Sequence, residues 1–119
     1  MLSLKKLKIN KIILKNRFVV SPMCQYSANN GNPSKWHYFH LLKLALSGAG
    51  MLMFESTSIN SVGRISIKDL SIKNKSNEKN LNKLVVFLRK YSDIKIGIQI
   101  SHSGRKGSSC TSSGDTSQP

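Results

Sequence analysis

The run Met-Leu-Met-Phe-Glu-Ser, residues 51–56, is apolar without alternation. A strand with one face in water alternates apolar and polar side chains. An unbroken apolar run instead suits a parallel strand buried on both faces. Helical patterns flank it. Tyr38, Leu41, Leu42, Ala45, Leu46 and Ala49 recur at helical spacing, with Lys35 and Lys43 left for solvent. Ser34 follows Pro33 and suits an N-cap, and the Ser-Gly-Ala-Gly of residues 47–50 supplies the stop. Further on, Leu81, Leu84, Val85 and Leu88 share one face of a second helix, for which Ser76 is the expected cap. Lys-Ile-Gly-Ile-Gln-Ile-Ser, residues 95–101, then reads as the next strand.

The N-terminal end adds a short hairpin, residues 7–9 and 12–14 around an Asn-Lys turn, and a strand within Arg-Phe-Val-Val-Ser-Pro that Pro22 closes. Residues 57–76 read as a long polar loop. The order is therefore hairpin, β, α, β, α, β. Such alternation predicts an α/β fold with a parallel sheet. Right-handed βαβ units gather the loops after the strands on one side, where α/β proteins bind ligands. That side should hold Cys24, Tyr26, Ser56 and Gln99. The tail, residues 109–119, is rich in Ser and Gly without apolar periodicity and is expected to be flexible.

Charge and composition narrow the function class. The net charge is +14, from 19 basic and 5 acidic residues, which raises a basic nucleic-acid-binding module as one reading. Only Arg17, Arg64, Arg89 and Arg105 of those 19 are arginines. The lysines are scattered, and Asn and Ile rise with them, as an A+T-rich codon bias would produce. No specific nucleic-acid partner is expected, because charge alone sets non-specific attraction. No apolar run nears the roughly 20 residues that a membrane-crossing helix needs. No secretory signal pattern opens the chain. A soluble, cytoplasmic protein without a membrane partner is expected. Cys24 and Cys110 are far apart in the sequence and are expected to stay reduced. His37 and His40 lack an accompanying metal-ligand pattern, so packed or surface roles are expected and no metal site.

Dinucleotide, P-loop and hydrolase motifs are absent. What remains is a neutral polar rim: the Cys24 thiol, the Tyr26 phenol, the Ser56 hydroxyl or backbone, and the Gln99 amide, which can both donate and accept. An uncharged rim suits a planar redox cofactor better than a metal or a phosphate. Each residue taken alone also suits a purely structural role. Glu55, at a strand end, reads as a structural hydrogen-bond partner.

Three separated blocks carry a family resemblance: LKNRFVVSPMCQYSANNGNPSKWH, GAGMLMFESTSINSVGRIS and KIGIQISHSGRKG. In this order they resemble the N-terminal part of the old yellow enzyme family, and SPMCQYSA resembles its bacterial NADPH dehydrogenase, or thermophilic-like ene-reductase, branch. The resemblance spans residues 7 to about 108. It implies the N-terminal part of a (β/α)8 TIM barrel, about three of eight strands, preceded by the hairpin, so that residues 1–108 form part of an FMN-binding barrel. It implies FMN as cofactor and NAD(P)H as co-substrate. The substrate would be a small activated alkene or quinone-like molecule whose C=C bond takes hydride from the flavin. Ser21, Pro22, Met23 and Cys24 would lie along the flavin, with Cys24 tuning its potential. Ser56 would contact FMN through its backbone region, and Gln99 would bond the pyrimidine edge. Tyr26 would hold the substrate, while His102 and Arg105 would be structural at the barrel rim.

The chain departs from the family in size, because a barrel of this type needs roughly 250 residues. The catalytic residues are expected beyond residue 119. The 119-residue chain alone is expected to be inactive, as an N-terminal fragment, a non-catalytic remnant or a gene-model fragment. A homo-oligomer is an open expectation for the full-length parent.

Overall fold

The computed structural model describes residues 1–107. The Ser- and Gly-rich tail and Cys110 lie outside the described residues. A 3-10 turn at Leu2–Leu4 leads into the hairpin of β1 (Leu7–Ile9) and β2 (Ile12–Leu14), paired antiparallel with Leu7 opposite Leu14. Asn10 makes the turn at φ 52°, a left-handed conformation that Asn tolerates better than most residues. These are the hairpin limits that the sequence predicts.

The remaining elements are β3 (Val19–Val20), α1 (Lys35–Ala45), β4 (Met51–Ser58), β5 (Leu70–Ser71), α2 (Lys75–Arg89) and β6 (Lys95–Ser101). β4 is the axis of the sheet. β6 runs parallel along it from Met51 to Ser58. On the other edge β3 pairs with Met51 and Leu52, and β5 pairs with Thr57 and Ser58. Two short strands thus share one edge of β4, with residues 53–56 between them. The register against β6 shifts after Phe54: Phe54 pairs with Ile98 and Ser56 with Gln99, which leaves Glu55 as the extra residue of a bulge.

The core lies between the sheet and the two helices. Leu41 and Ala45 of α1 and Leu84 and Leu88 of α2 close on Leu52 and Phe54 of β4, with Ala49 and Ile94. Leu42, Leu81 and Val85, expected on the buried helix faces, pack at its margin, whereas Leu46 is exposed. Tyr38, Phe87 and Tyr91 extend it as a chain of edge-to-face rings.

Two expectations are corrected. Residues 57–76 are not a solvated loop. They contain β5, and Ser66, Asp69, Leu70 and Ser71 are buried. Their polar side chains are internally bonded, which hydrophobic periodicity cannot register. The cap of α2 is Asn74, not Ser76. The Asn74 side chain accepts from the Asn77 backbone N–H at 2.9 Å. Capping there puts Asn77 in the first turn, where its amide reaches the Asn30 carbonyl at 3.0 Å and Asn32 Oδ1 at 2.8 Å. Asn80 also donates to Asn32 Oδ1. These bonds hold the tight turn between β3 and α1, in which Asn30 and Gly31 both take positive φ. A Cβ at Gly31 would stand 2.7 Å from Ser71 Cβ, so this turn seats directly on β5.

Leu84 is fully buried against both layers, whereas Val86 is largely exposed. Leu84→Ala should therefore destabilise the chain by about 2–5 kcal/mol, and Val86→Ala by no more than about 0.5 kcal/mol. Urea unfolding of the two variants measures the difference.

Candidate functional site

The site forms where β3, β4 and β6 end. After Val20 the chain leaves the ladder as an extended segment, and it is tied down again where the Ala28 N–H donates to the Lys68 carbonyl at 2.9 Å. Gln25 braces this segment internally. Its amide donates to the Met23 carbonyl at 2.8 Å, and its Oε1 accepts from the indole of Trp36 on α1 at 2.9 Å. The next residue, Tyr26, sits at φ 48°. A bulky residue in that region is strained, a condition that concentrates at ligand-contacting loops.

Cys24 is half-buried, and its thiol faces the backbone amide of Ser56 and the Tyr26 hydroxyl. Ser56 stands opposite Gln99 in the β4–β6 register, and its hydroxyl bonds that of Ser101. Tyr26, Cys24, Ser56 and Gln99 therefore form one row across three strand ends. Ser56 is buried, Tyr26 is 38% exposed, and the exposed Gln99 amide has no protein partner among the described residues. Ser21 and Met23 are exposed and Pro22 half-buried on the same segment. His102 and Arg105 belong to the stretch after β6, whose Ser103 bonds the carbonyls of Gly63 and Arg64. His102 itself accepts from the Gly104 N–H, and both side chains are exposed.

Burial holds the Cys24 thiol above its usual range. The Ser56 amide opposes the rise, Glu55 and Asp69 add to it, and the Tyr26 hydroxyl lowers it. The Tyr26 phenol is also pushed up, first by partial burial and then by Cys24 and Asp69. Both groups keep their hydrogens at neutral pH, so each presents a donor that itself carries no charge.

Asp69 belongs to no motif recognised in the sequence. It is 3% exposed and organises the loop before β5, accepting from the Ile65 N–H at 2.7 Å and the Ser66 hydroxyl at 3.2 Å. An Asp among Ser and Lys in a polar stretch is a turn-forming type, but its burial leaves no periodic mark in the sequence. Burial raises its pKa above 3.8, the Ile65 and Ser66 bonds oppose this, and Glu55 adds to the rise. His37 and Glu55 form a pair that the sequence does not join, with Nε2 and Oε2 3.5 Å apart, at 0% and 3% exposure. Among the described residues, no group of three or more His, Cys, Asp or Glu could hold a metal ion, and no helix is long and apolar enough to cross a membrane.

Two titrations test this geometry. In a Cys110→Ser background, Cys24 alkylation should have its midpoint above 9.0, the ordinary thiol value. Tyr26→Phe removes a donor to the thiolate and should move the midpoint higher; a lower midpoint would place the phenol elsewhere. For Asp69 the folded chain binds the proton more tightly than the unfolded one. Stability should then fall as pH climbs from 3.8 through the raised folded value. Asp69→Asn should flatten that part of the curve in chemical unfolding followed against pH.

The family described as NADH:flavin oxidoreductase / NADH oxidase matches residues 4–118. An NADPH dehydrogenase of Bacillus cytotoxicus is 42% identical over 100 residues, covering 82% of this chain and 29% of that protein. One of Listeria monocytogenes is 43% identical over 101 residues, covering 83% and 30%. The chain thus spans about three tenths of the length of the curated relatives it matches. Among solved structures, the old yellow enzyme from Trypanosoma cruzi superposes with a TM-score of 0.79 at 22% identity, over 89% of this chain and 28% of that one. At that identity the likeness is one of fold. The described residues form a partial α/β unit of a TIM barrel, with a parallel sheet and a leading hairpin.

Proposed function

The chain belongs to the NADH:flavin oxidoreductase / NADH oxidase family, and on that basis we propose that it forms the flavin-ring side of an FMN-dependent NAD(P)H oxidoreductase that reduces activated C=C bonds. The observation that carries this reading is the uncharged row of Tyr26, Cys24, Ser56 and Gln99 across adjacent strand ends. A flat heterocycle with mixed donors and acceptors on its edge fits such a row. A metal ion or a phosphate would need charge there.

FMN, when bound, would supply hydride transfer between NAD(P)H and an electron-poor alkene. The protein's own part is to hold and tune. Gln99 offers its unpaired amide to the donor and acceptor groups of the ring edge. Ser21, Pro22 and Met23 form the wall alongside, and Ser56 lies behind. Cys24, kept as a thiol, brings a soft, polarizable S–H to the ring and tunes its electronics. Tyr26 stands at the exposed end of the row, where its O–H can bond a substrate oxygen and draw electron density from the alkene. The group that protonates the other alkene carbon is not among these residues.

The test joins residues 1–107 to the C-terminal remainder of one of the NADPH dehydrogenase relatives. The product should bind FMN stoichiometrically and oxidise NADPH. Gln99→Leu should weaken FMN binding about tenfold or more, because losing the amide leaves ring polar groups buried without partners, at roughly 1–3 kcal/mol. Cys24→Ala should move the flavin midpoint potential by tens of millivolts, on the order of 1 kcal/mol for a two-electron couple. Unaltered FMN affinity in the Gln99 variant and an unaltered potential in the Cys24 variant would together remove the row from the flavin.

A further inference from the structure

His37 occupies the third position of α1, where a capping box ordinarily carries an acid or amide. Here the imidazole takes that part. Its Nδ1 accepts from the Ser34 backbone N–H at 3.1 Å and stands 3.1 Å from the Ser34 hydroxyl. An Nδ1 that accepts an amide hydrogen has none of its own, so the neutral ring carries its hydrogen on Nε2. That atom points at Glu55 Oε2, 3.5 Å away. The separation is longer than an ordinary hydrogen bond, and neither atom has another protein partner. Both atoms are buried, and each is the polar partner that the structure gives the other.

Glu55 is also the bulge residue of β4, the one without a partner on β6. The bulge immediately precedes Ser56, whose amide faces the Cys24 thiol. The helix cap, the bulge and the rim are thereby joined through two side chains.

We propose that His37 and Glu55 are a positioning pair for the rim: the helix cap fixes the imidazole, the imidazole anchors the Glu55 carboxylate at the bulge, and the carboxylate gives the floor of the rim a negative charge. A rim built this way resists gaining further negative charge. With a flavin held over it, the carboxylate would oppose build-up of negative charge on the ring side of the rim and so would favour hydride donation. That last step rests on the flavin reading, whereas the pair itself does not.

The charged and titratable groups that bear on the Cys24 thiol are Glu55 of β4, Asp69 of the loop before β5, and Tyr26 of its own segment. Glu55 acts more strongly on it than Asp69 does. Cys24 therefore reports the floor charge without any flavin, and the experiment needs none. In the 119-residue chain carrying Cys110→Ser, alkylation of Cys24 by iodoacetamide is timed near pH 8.5. Glu55→Gln removes the opposing charge, lowers the thiol pKa and should speed the reaction on the order of threefold to tenfold. Glu55→Asp keeps the charge and should return the rate to that of the parent. A Gln variant no faster than its parent overturns the proposal. So does an Asp variant as fast as the Gln variant, because the cause is then a loosened fold. Nitrogen-15 NMR of the imidazole in the parent chain is a second measurement that does not depend on either variant folding. The Nε2–H tautomer is expected for His37, and the Nδ1–H tautomer would overturn the pair.

Discussion

The parallel ladder of β4 is the constraint on which the rest of the molecule depends. β6 occupies one edge throughout, while the other is divided between β3 at the start and β5 at the end. The candidate site is placed by this arrangement. β3 must stop early for β5 to reach the same edge, so the chain after Val20 is free to run past the middle of β4. Cys24 arrives in that interval opposite Ser56. Helices α1 and α2 cover the Leu52 and Phe54 face, and their packing holds β4 in register with β6.

Most of this was legible because the relevant signals are periodic. The limits of β1 and β2, the Ser34 cap, the helices and the strands at residues 51 and 95 follow from apolar spacing and stop residues. β5 was not legible. Leu70 and Ser71 sit in a polar stretch whose burial is satisfied by bonds between distant segments, such as the Ser71 hydroxyl to the Ser58 carbonyl at 3.1 Å. The cap of α2 shows the same limit. Asn74 and Ser76 are both competent caps by type, and the choice between them is made by Asn30 and Asn32, more than forty positions away.

The convergence of Cys24, Ser56 and Gln99 was readable from the rule that loops after parallel strands share one side. Tyr26 came with Cys24 by adjacency, although its positive φ did not. Glu55 was foreseen as a structural partner and His37 as a packed residue, but neither spacing nor type joins residue 37 to residue 55. Their meeting depends on where the first turn of α1 crosses β4, which is tertiary information. Asp69 escaped for a related reason, since its bonds are local but its burial is not.

The division of one β4 edge between two strands separates heritable variation into two compartments. Residues 21–28 belong to no strand, and none of them has a register partner on β4. The ladder on this edge is written in Val19, Val20, Leu70 and Ser71, while the thiol and the phenol are written in the interval. Selection can exchange the thiol or the phenol for another side chain without renegotiating strand pairing. The fold is in that sense insulated from the side chains of the interval, and Cys24 and Tyr26 can change in type while the ladder keeps its pairing.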